Sequence, residues 1–357
     1  MGLWPMQVQI LSRALEVWAD SHRRSASVLL YNGTMRRHLV ILASVVAASL
    51  AGCTGQGDGG VGEPMATAVR RVPWNSPETS GSQLITQHYS IYTTTTDQAL
   101  VTYLPGFMEA AYRNYLHLTS LPEQGGEPMP IYMMASRQEW ASLTESVVGK
   151  EAAGPYLSLQ AGGYCHKGVC VFWDIGVLGT FSVGAHEGMH QFFHHRLRDR
   201  LPMWLEEGLC TTAEGYQVTG DSVTFTPQRN TIRFADLRTA IVQGRWIPLG
   251  KLLSMDSSDA VVGGTERATG YYGQLWAMVQ FIRSEAVYRA GMERMLTDAV
   301  AGRFGEVLSE AGLATRLGGG RGYNQAVSQP LFAHYISPDL DGFEKEFRAF
   351  ATKLARL

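Results

Sequence analysis

His186-Glu187-Gly188-Met189-His190 is an H-E-x-x-H pentapeptide. On a helix its two imidazoles lie one turn apart and only ~40° around the axis, so both face the same way. Two imidazoles in that posture suit two corners of a tetrahedral zinc site, and the glutamate between them can reach a water on the metal. Trp204-Leu205-Glu206-Glu207-Gly208 follows, with Glu207 seventeen residues after His190. A carboxylate from that block would be a third donor. Three protein donors leave the fourth position to water, which marks a catalytic site, because structural zinc is closed by four. Glu206 and Glu207 lie ~100° apart on a helix, so one of them can face the metal, and periodicity does not choose between them.

The elements that must carry these residues are legible. Residues 181–197 contain no proline, and Phe181, Ala185, Met189, Phe192 and Phe193 recur at the spacing of a buried helical face. Pro202 ends that helix and suits the first turn of the next. The two motifs therefore read as helix, short connection, helix.

The spacing departs from a metzincin, whose motif runs H-E-x-x-H-x-x-G-x-x-H: Phe193 stands where the glycine would be and Arg196 where the third histidine would be. His194 and His195 are close but wrongly spaced, and read as surface residues or residues behind the ligands. The W-L-x-E-G block resembles the gluzincins of the peptidase MA clan instead. That resemblance makes Glu207 the third ligand. It also places a tyrosine at the start of a later helix, donating to the oxyanion of the tetrahedral intermediate. Tyr272, sixty-five residues after Glu207 in Gly270-Tyr271-Tyr272-Gly273-Gln274-Leu275-Trp276, matches that role, with Tyr271 the fallback. From about Gln83 onward the chain resembles gluzincin-like bacterial lipoproteins with E-G-L-A and Y-x-Q-x-W-A motifs. Here Cys210 replaces the alanine. Thr211 replaces the aspartate that steadies a ligating histidine in thermolysin-like enzymes, and Glu214, two turns beyond Glu207, can stand in for it.

Residues 35–38 are a basic n-region and residues 39–50 an apolar run, too short to span a bilayer and suited to a signal peptide. Leu50-Ala51-Gly52-Cys53 resembles a lipobox, which implies diacylation of Cys53 and anchorage to a bacterial membrane, the outer one if the cell is Gram-negative. Met35 is then a plausible start, residues 1–52 a removed leader, and residues 53–82, rich in Gly, Pro and Ser, a flexible tether. The chain's formal charge of −2 becomes −5 once the leader's five arginines and two acids are gone, and no basic patch suggests a nucleic acid.

Cys165 and Cys170 flank a tight turn between two short strands and can bridge in an oxidising compartment. Cys210 reads as a buried thiol beside the second metal helix.

Strands are expected at residues 88–94, 129–134 and 223–225. Helices are expected at residues 97–118 and 136–147, the latter with Ser136 and Glu139 as a capping box. From Phe234 the pattern is helical, ending in residues 339–357. The expected fold is α+β and zincin-like. A small mixed sheet with the active-site helices occupies residues 83–225, and a helical C-terminal lobe occupies residues 226–357. Val169 to Trp173 is the expected edge strand for an extended substrate.

The function expected is a lipid-anchored, extracytoplasmic metallopeptidase acting on a peptide or protein of the cell envelope. One Zn²⁺ per chain is held by His186, His190 and Glu207, with Glu187 as general base and acid and Tyr272 at the oxyanion. The rival expectations are a catalytically decayed zinc-containing binding lipoprotein and a surface interaction lipoprotein without metal.

Overall fold

Alternating burial along residues 71–75 and 129–133 marks strands that turn one face toward a core. The computed structural model describes residues 62–76, 79–159, 162–262, 265–313 and 321–356. The leader, Met35 and the lipobox with Cys53 lie outside them. Among the described residues nine strands form two sheets. Six of them run in the order β2 (Arg70–Asn75), β3 (Ser80–Ile85), β4 (Tyr89–Thr93), β5 (Met129–Met134), β7 (Val169–Trp173) and β6 (Gly163–His166). The pairs β4–β5 and β5–β7 are parallel and the other pairs antiparallel. A small antiparallel sheet joins β1 (Glu63–Pro64), β9 (Ser222–Phe225) and β8 (Tyr216–Thr219).

Parallel neighbours need crossovers. Helix α1 (Gln98–Thr119) connects β4 to β5, and α2 (Arg137–Val148) and α3 (Lys150–Leu157) precede the β6–β7 hairpin. Asp97 caps α1 by accepting from the amides of Ala99 and Leu100. Ser136 caps α2 by accepting from Glu139 N, while the Glu139 carboxylate accepts from Ala135 N and Thr94. The two sheet faces bury different sets. Ile91, Ile131, Met133, Cys170 and Phe172 join the main core with α1 and the metal-helix candidate, whereas Met134, Val171 and Trp173 pack with Trp140 of α2 and Tyr156 of α3.

The next helices are α4 (Val177–Arg196) and α5 (Met203–Ala213). From Thr231 every described element is helical: α6 (Thr231–Val242), α7 (Leu249–Ser254), α8 (Ser257–Val262), α9 (Thr265–Ser284), α10 (Ala286–Ala301), α11 (Phe304–Glu310), α12 (Arg321–Tyr335) and α13 (Leu340–Leu354). Helix α9 packs against α5, α6, α10 and α13 and so stands at the centre of this part. The molecule is a mixed α+β structure.

Two expectations are corrected. Residues 62–82 are not wholly a tether, because β1, β2 and the start of β3 lie there. Val72 and Trp74 point to one face of β2 and are half-buried, and Trp74 packs on Tyr92 and Tyr132, so the strand has enough apolar surface to order despite its Pro73. The edge is not Val169–Trp173. That strand lies between β5 and β6 and is buried on both faces, as its unbroken apolar run requires, so β6 is the edge.

The N-terminal segment is also locked across α1. Met65 is buried, and a Cβ on Gly106 would stand 1.8 Å from the Met65 carbonyl oxygen. Gly106→Ala gains ~1 kcal/mol of helix propensity, but the clash is with main chain and cannot be relieved by a rotamer change. A net loss of ~1–3 kcal/mol is expected in chemical denaturation. A stabilised variant would mean that the segment does not cross α1.

Candidate metal centre

Helix α4 is buried from Gly179 to Phe193, which is unusual for a stretch holding two histidines and a glutamate. Gly188, inside the motif, lets α1 press against it: a Cβ there would meet the Tyr115 hydroxyl at 2.5 Å. That hydroxyl donates to the Ala185 carbonyl at 2.8 Å and fixes the turn before His186. The two imidazoles then face the same way, with ring centroids 5.1 Å apart.

Helix α5 brings its carboxylates to them. Glu207 Oε2 lies 3.5 Å from His186 Nε2 and 3.8 Å from His190 Nε2. Glu206 turns to the other side of His190 and accepts from its Nδ1 at 2.9 Å. Glu214 accepts from His186 Nδ1 at 2.7 Å. The ring nitrogens of both histidines are thereby sorted: each Nδ1 is tied to a carboxylate, and each Nε2 faces Glu207. Residues 206, 210 and 214 follow one another at one-turn spacing, so α5 lays Glu206, Cys210 and Glu214 along the histidine pair.

Cys210 is the member of this stripe that sequence reasoning left as a bystander. Its sulfur and one ring nitrogen each of His186 and His190 all lie within 4.8 Å of one another. Glu207 Oε2, with 3.5 and 3.8 Å to the two Nε2 atoms, and the Cys210 thiol are thus two candidates for a third donor beside the histidine pair. Thr211 does not touch a histidine. Its hydroxyl donates back to the carbonyls of Glu207 and Gly208, as a helical threonine readily does.

Behind Glu214 stands a group with no sequence signal. Arg233 of α6, 1 % exposed, forks onto the Glu214 carboxylate at 2.8 and 2.9 Å and reaches Asp236 at 3.2 Å. Asn230 caps α6 and donates to Glu214 and to the Thr211 carbonyl. An arginine on a helix reads as a solvated residue, and only the three-dimensional contact reveals this one.

Among the described residues, both carboxylate oxygens of Glu187 and the Tyr272 hydroxyl are buried in this cluster without a hydrogen-bond partner. Tyr272 lies on α9, with its ring 5.3 Å from the Arg233 guanidinium carbon. The Tyr271 hydroxyl is instead directed at the Met255 carbonyl, 3.4 Å away. Burial raises the Glu187 carboxyl, His186 and His190 pull it back down, and Glu207 adds to the rise. Helix α4 packs against the edge strand β6, whose Cys165 main chain also lowers the Glu187 carboxyl.

Cys165 and Cys170 face each other in the β6–β7 register, but both are thiols, contrary to the expected bridge. Cys170 has another use for its hydrogen: its Sγ donates to the Glu187 carbonyl at 3.1 Å.

Beside Glu214 a cavity of about 170 Å³ opens between Leu178, Ser182, Tyr216, Asn230 and Ile232. No known family model matches the chain, and neither characterised proteins nor solved structures gave a match.

In the metal-free protein, burial lowers His186, but its contacts with Glu207 and Glu214 win and hold it at about 10. His190 is likewise lowered by burial and raised further by Glu206 and Glu207. A cation must therefore displace protons to bind. Zn²⁺ binding at pH 7 should release at least one proton per site, and affinity should strengthen ~tenfold per pH unit through neutrality. Calorimetry in two buffers of different ionisation heat measures this. Release near zero would contradict the contacts assigned to His186.

Proposed function

We propose that this chain is a zinc-dependent metallopeptidase of gluzincin type, with a zincin-like arrangement of sheet and active-site helices. The observation that carries the proposal is the convergence of His186, His190 and Glu207 in one buried cluster with Glu187 and Tyr272. A tetrahedral site with ~2.1 Å bonds has edges of about 3.4 Å, and the two Nε2-to-Glu207 distances are 3.5 and 3.8 Å. His186, His190 and Glu207 would hold the cation. A bound Zn²⁺ supplies Lewis acidity, polarising a carbonyl and lowering the pKa of a water toward ~7.

The chain's own residues do the rest. Glu214 and Glu206 fix the histidine tautomers and aim both Nε2 atoms inward. Glu187, raised by burial, takes the proton of the attacking water and passes it to the leaving amine. Tyr272 donates its hydroxyl to the developing oxyanion. Strand β6, with one side unpaired at the end of the sheet, offers main-chain groups to an extended peptide next to Glu187. The leader and lipobox pattern support anchorage at Cys53 and action on envelope peptides.

A second reading, a zinc-containing binding protein without turnover, is favoured by the enclosure of the site. None of His186, Glu187, His190, Glu207 and Tyr272 is more than 6 % exposed. Substitution separates the two. Glu187→Gln should keep zinc near one per chain, because Glu187 is not a ligand, and should cut peptide hydrolysis by ~10² or more. His190→Ala should lose both zinc and activity. Wild-type protein that holds zinc yet cleaves nothing in a broad peptide library would establish the second reading.

Tyr272→Phe removes only the unpartnered hydroxyl. A loss of ~3 kcal/mol of transition-state stabilisation, about 10²-fold in kcat, is expected with little change in KM or zinc content. An equal loss from Tyr271→Phe and none from Tyr272→Phe would exchange their roles.

A further inference from the structure

We infer that Arg233 is a positioning residue that couples the two halves of the site, setting His186 through Glu214 and Tyr272 through its ring. The inference rests on the peptidase reading for its catalytic consequence, but not for its geometry.

The guanidinium is buried and has three neighbours. Its fork holds both oxygens of Glu214, whose Oε1 takes the Nδ1 proton of His186. Nη1 reaches Asp236 on the next turn of its own helix. Its carbon lies 5.3 Å from the centre of the Tyr272 ring, within the range of a cation–π contact. A planar fork can satisfy a carboxylate and lie against an aromatic at the same time, which a lysine ammonium cannot do in the same way. One side chain therefore bears on a metal ligand and on the oxyanion donor.

A second, independent contact holds the partners in register. A Cβ on Gly273, next to Tyr272, would meet the Leu237 amide nitrogen at 2.6 Å and the Asp236 carbonyl carbon at 3.0 Å. Helices α6 and α9 thus touch through their main chains one turn beyond Arg233. Tyr272 cannot shift along α6 without breaking that contact. Its hydroxyl has no hydrogen-bond partner among the described residues, so the ring is aimed by what surrounds it rather than by its own polar end. Buried ion pairs contribute little net stability against apolar replacements, so holding the fold together is a weak account of why a cation sits here.

The test is a double-mutant cycle between Arg233→Lys and Tyr272→Phe, read by hydrolysis. It is paired with fluorine NMR of metal-free protein carrying 3-fluorotyrosine at position 272. Arg233→Lys should lower kcat ~10–100-fold, the usual scale for a residue behind the ligands, with KM and zinc content nearly unchanged. In the Tyr272→Phe background the same substitution should cost less, because only the share exerted through Glu214 and His186 remains. The fluorine resonance should shift or broaden in Arg233→Lys. Multiplicative losses in the cycle, or an unmoved resonance in the folded variant, would overturn the coupling. If the wild type hydrolyses nothing but the resonance moves, the peptidase reading fails and the coupling stands. Should Arg233→Lys fail to fold, Arg233→Gln combined with Glu214→Gln removes both charges together and gives the same two readouts.

Discussion

Burial of charge is the constraint from which the rest of this structure follows. Two imidazoles, several carboxylates and a guanidinium are packed where water does not reach, and an uncompensated charge there costs several kcal/mol. Most are therefore answered by a hydrogen-bonded neighbour, Glu187 being the exception, and the answers run in a chain from His186 through Glu214 to Arg233 and Asp236. Burial raises Glu214, but Arg233 and His186 win and hold it at about 2. Its folded value lies below its unfolded one. Its stabilising contribution is thus complete above the ordinary carboxylate range and is lost as pH falls toward 2. Asp236 is different: burial pushes it up to about 6 despite Arg233, so ionising it works against the folded state.

This chain also explains why the helices lie where they do. Helix α4 supplies the two imidazoles and Glu187, α5 the carboxylates that meet the imidazoles, α6 the guanidinium, and α9 the unpartnered hydroxyl. Each helix carries one part of the chemistry, and none of the parts is compensated within its own helix alone. The sheet's contribution is indirect. Its inner face, with Cys170 and Phe172, backs α4, and the Cys170 thiol donates to the Glu187 carbonyl.

What could be read from the chain was what periodicity encodes. The H-E-x-x-H helix, the break at Pro202, the strand at Met129–Met134 and the cap at Ser136 all announce themselves within a few residues. The convergence of Glu207 with the histidines came from family resemblance, because helix phase alone allows either glutamate. The misses have physical causes. Strands β2 and β3 hide in a composition of Gly, Pro and Ser that resembles a linker, yet β2 pairs along its whole length with β3. The order of β6 and β7 depends on which way a hairpin folds onto the sheet. Arg233 and the histidine-facing side of Glu206 are defined by contacts between helices, which no local pattern carries.

The early strands change the reach of the molecule. Had the ordered domain begun after residue 82, a lipid at Cys53 would have been separated from it by some thirty residues, up to about 100 Å of extended chain. With Glu63 already in a sheet and Met65 pinned on α1, about ten residues remain, and covalent geometry caps them at roughly 35 Å. An anchored molecule would then be confined to a shell no deeper than about one small-domain diameter above the lipid headgroups. Anything it acts on would have to come to the membrane surface to be met.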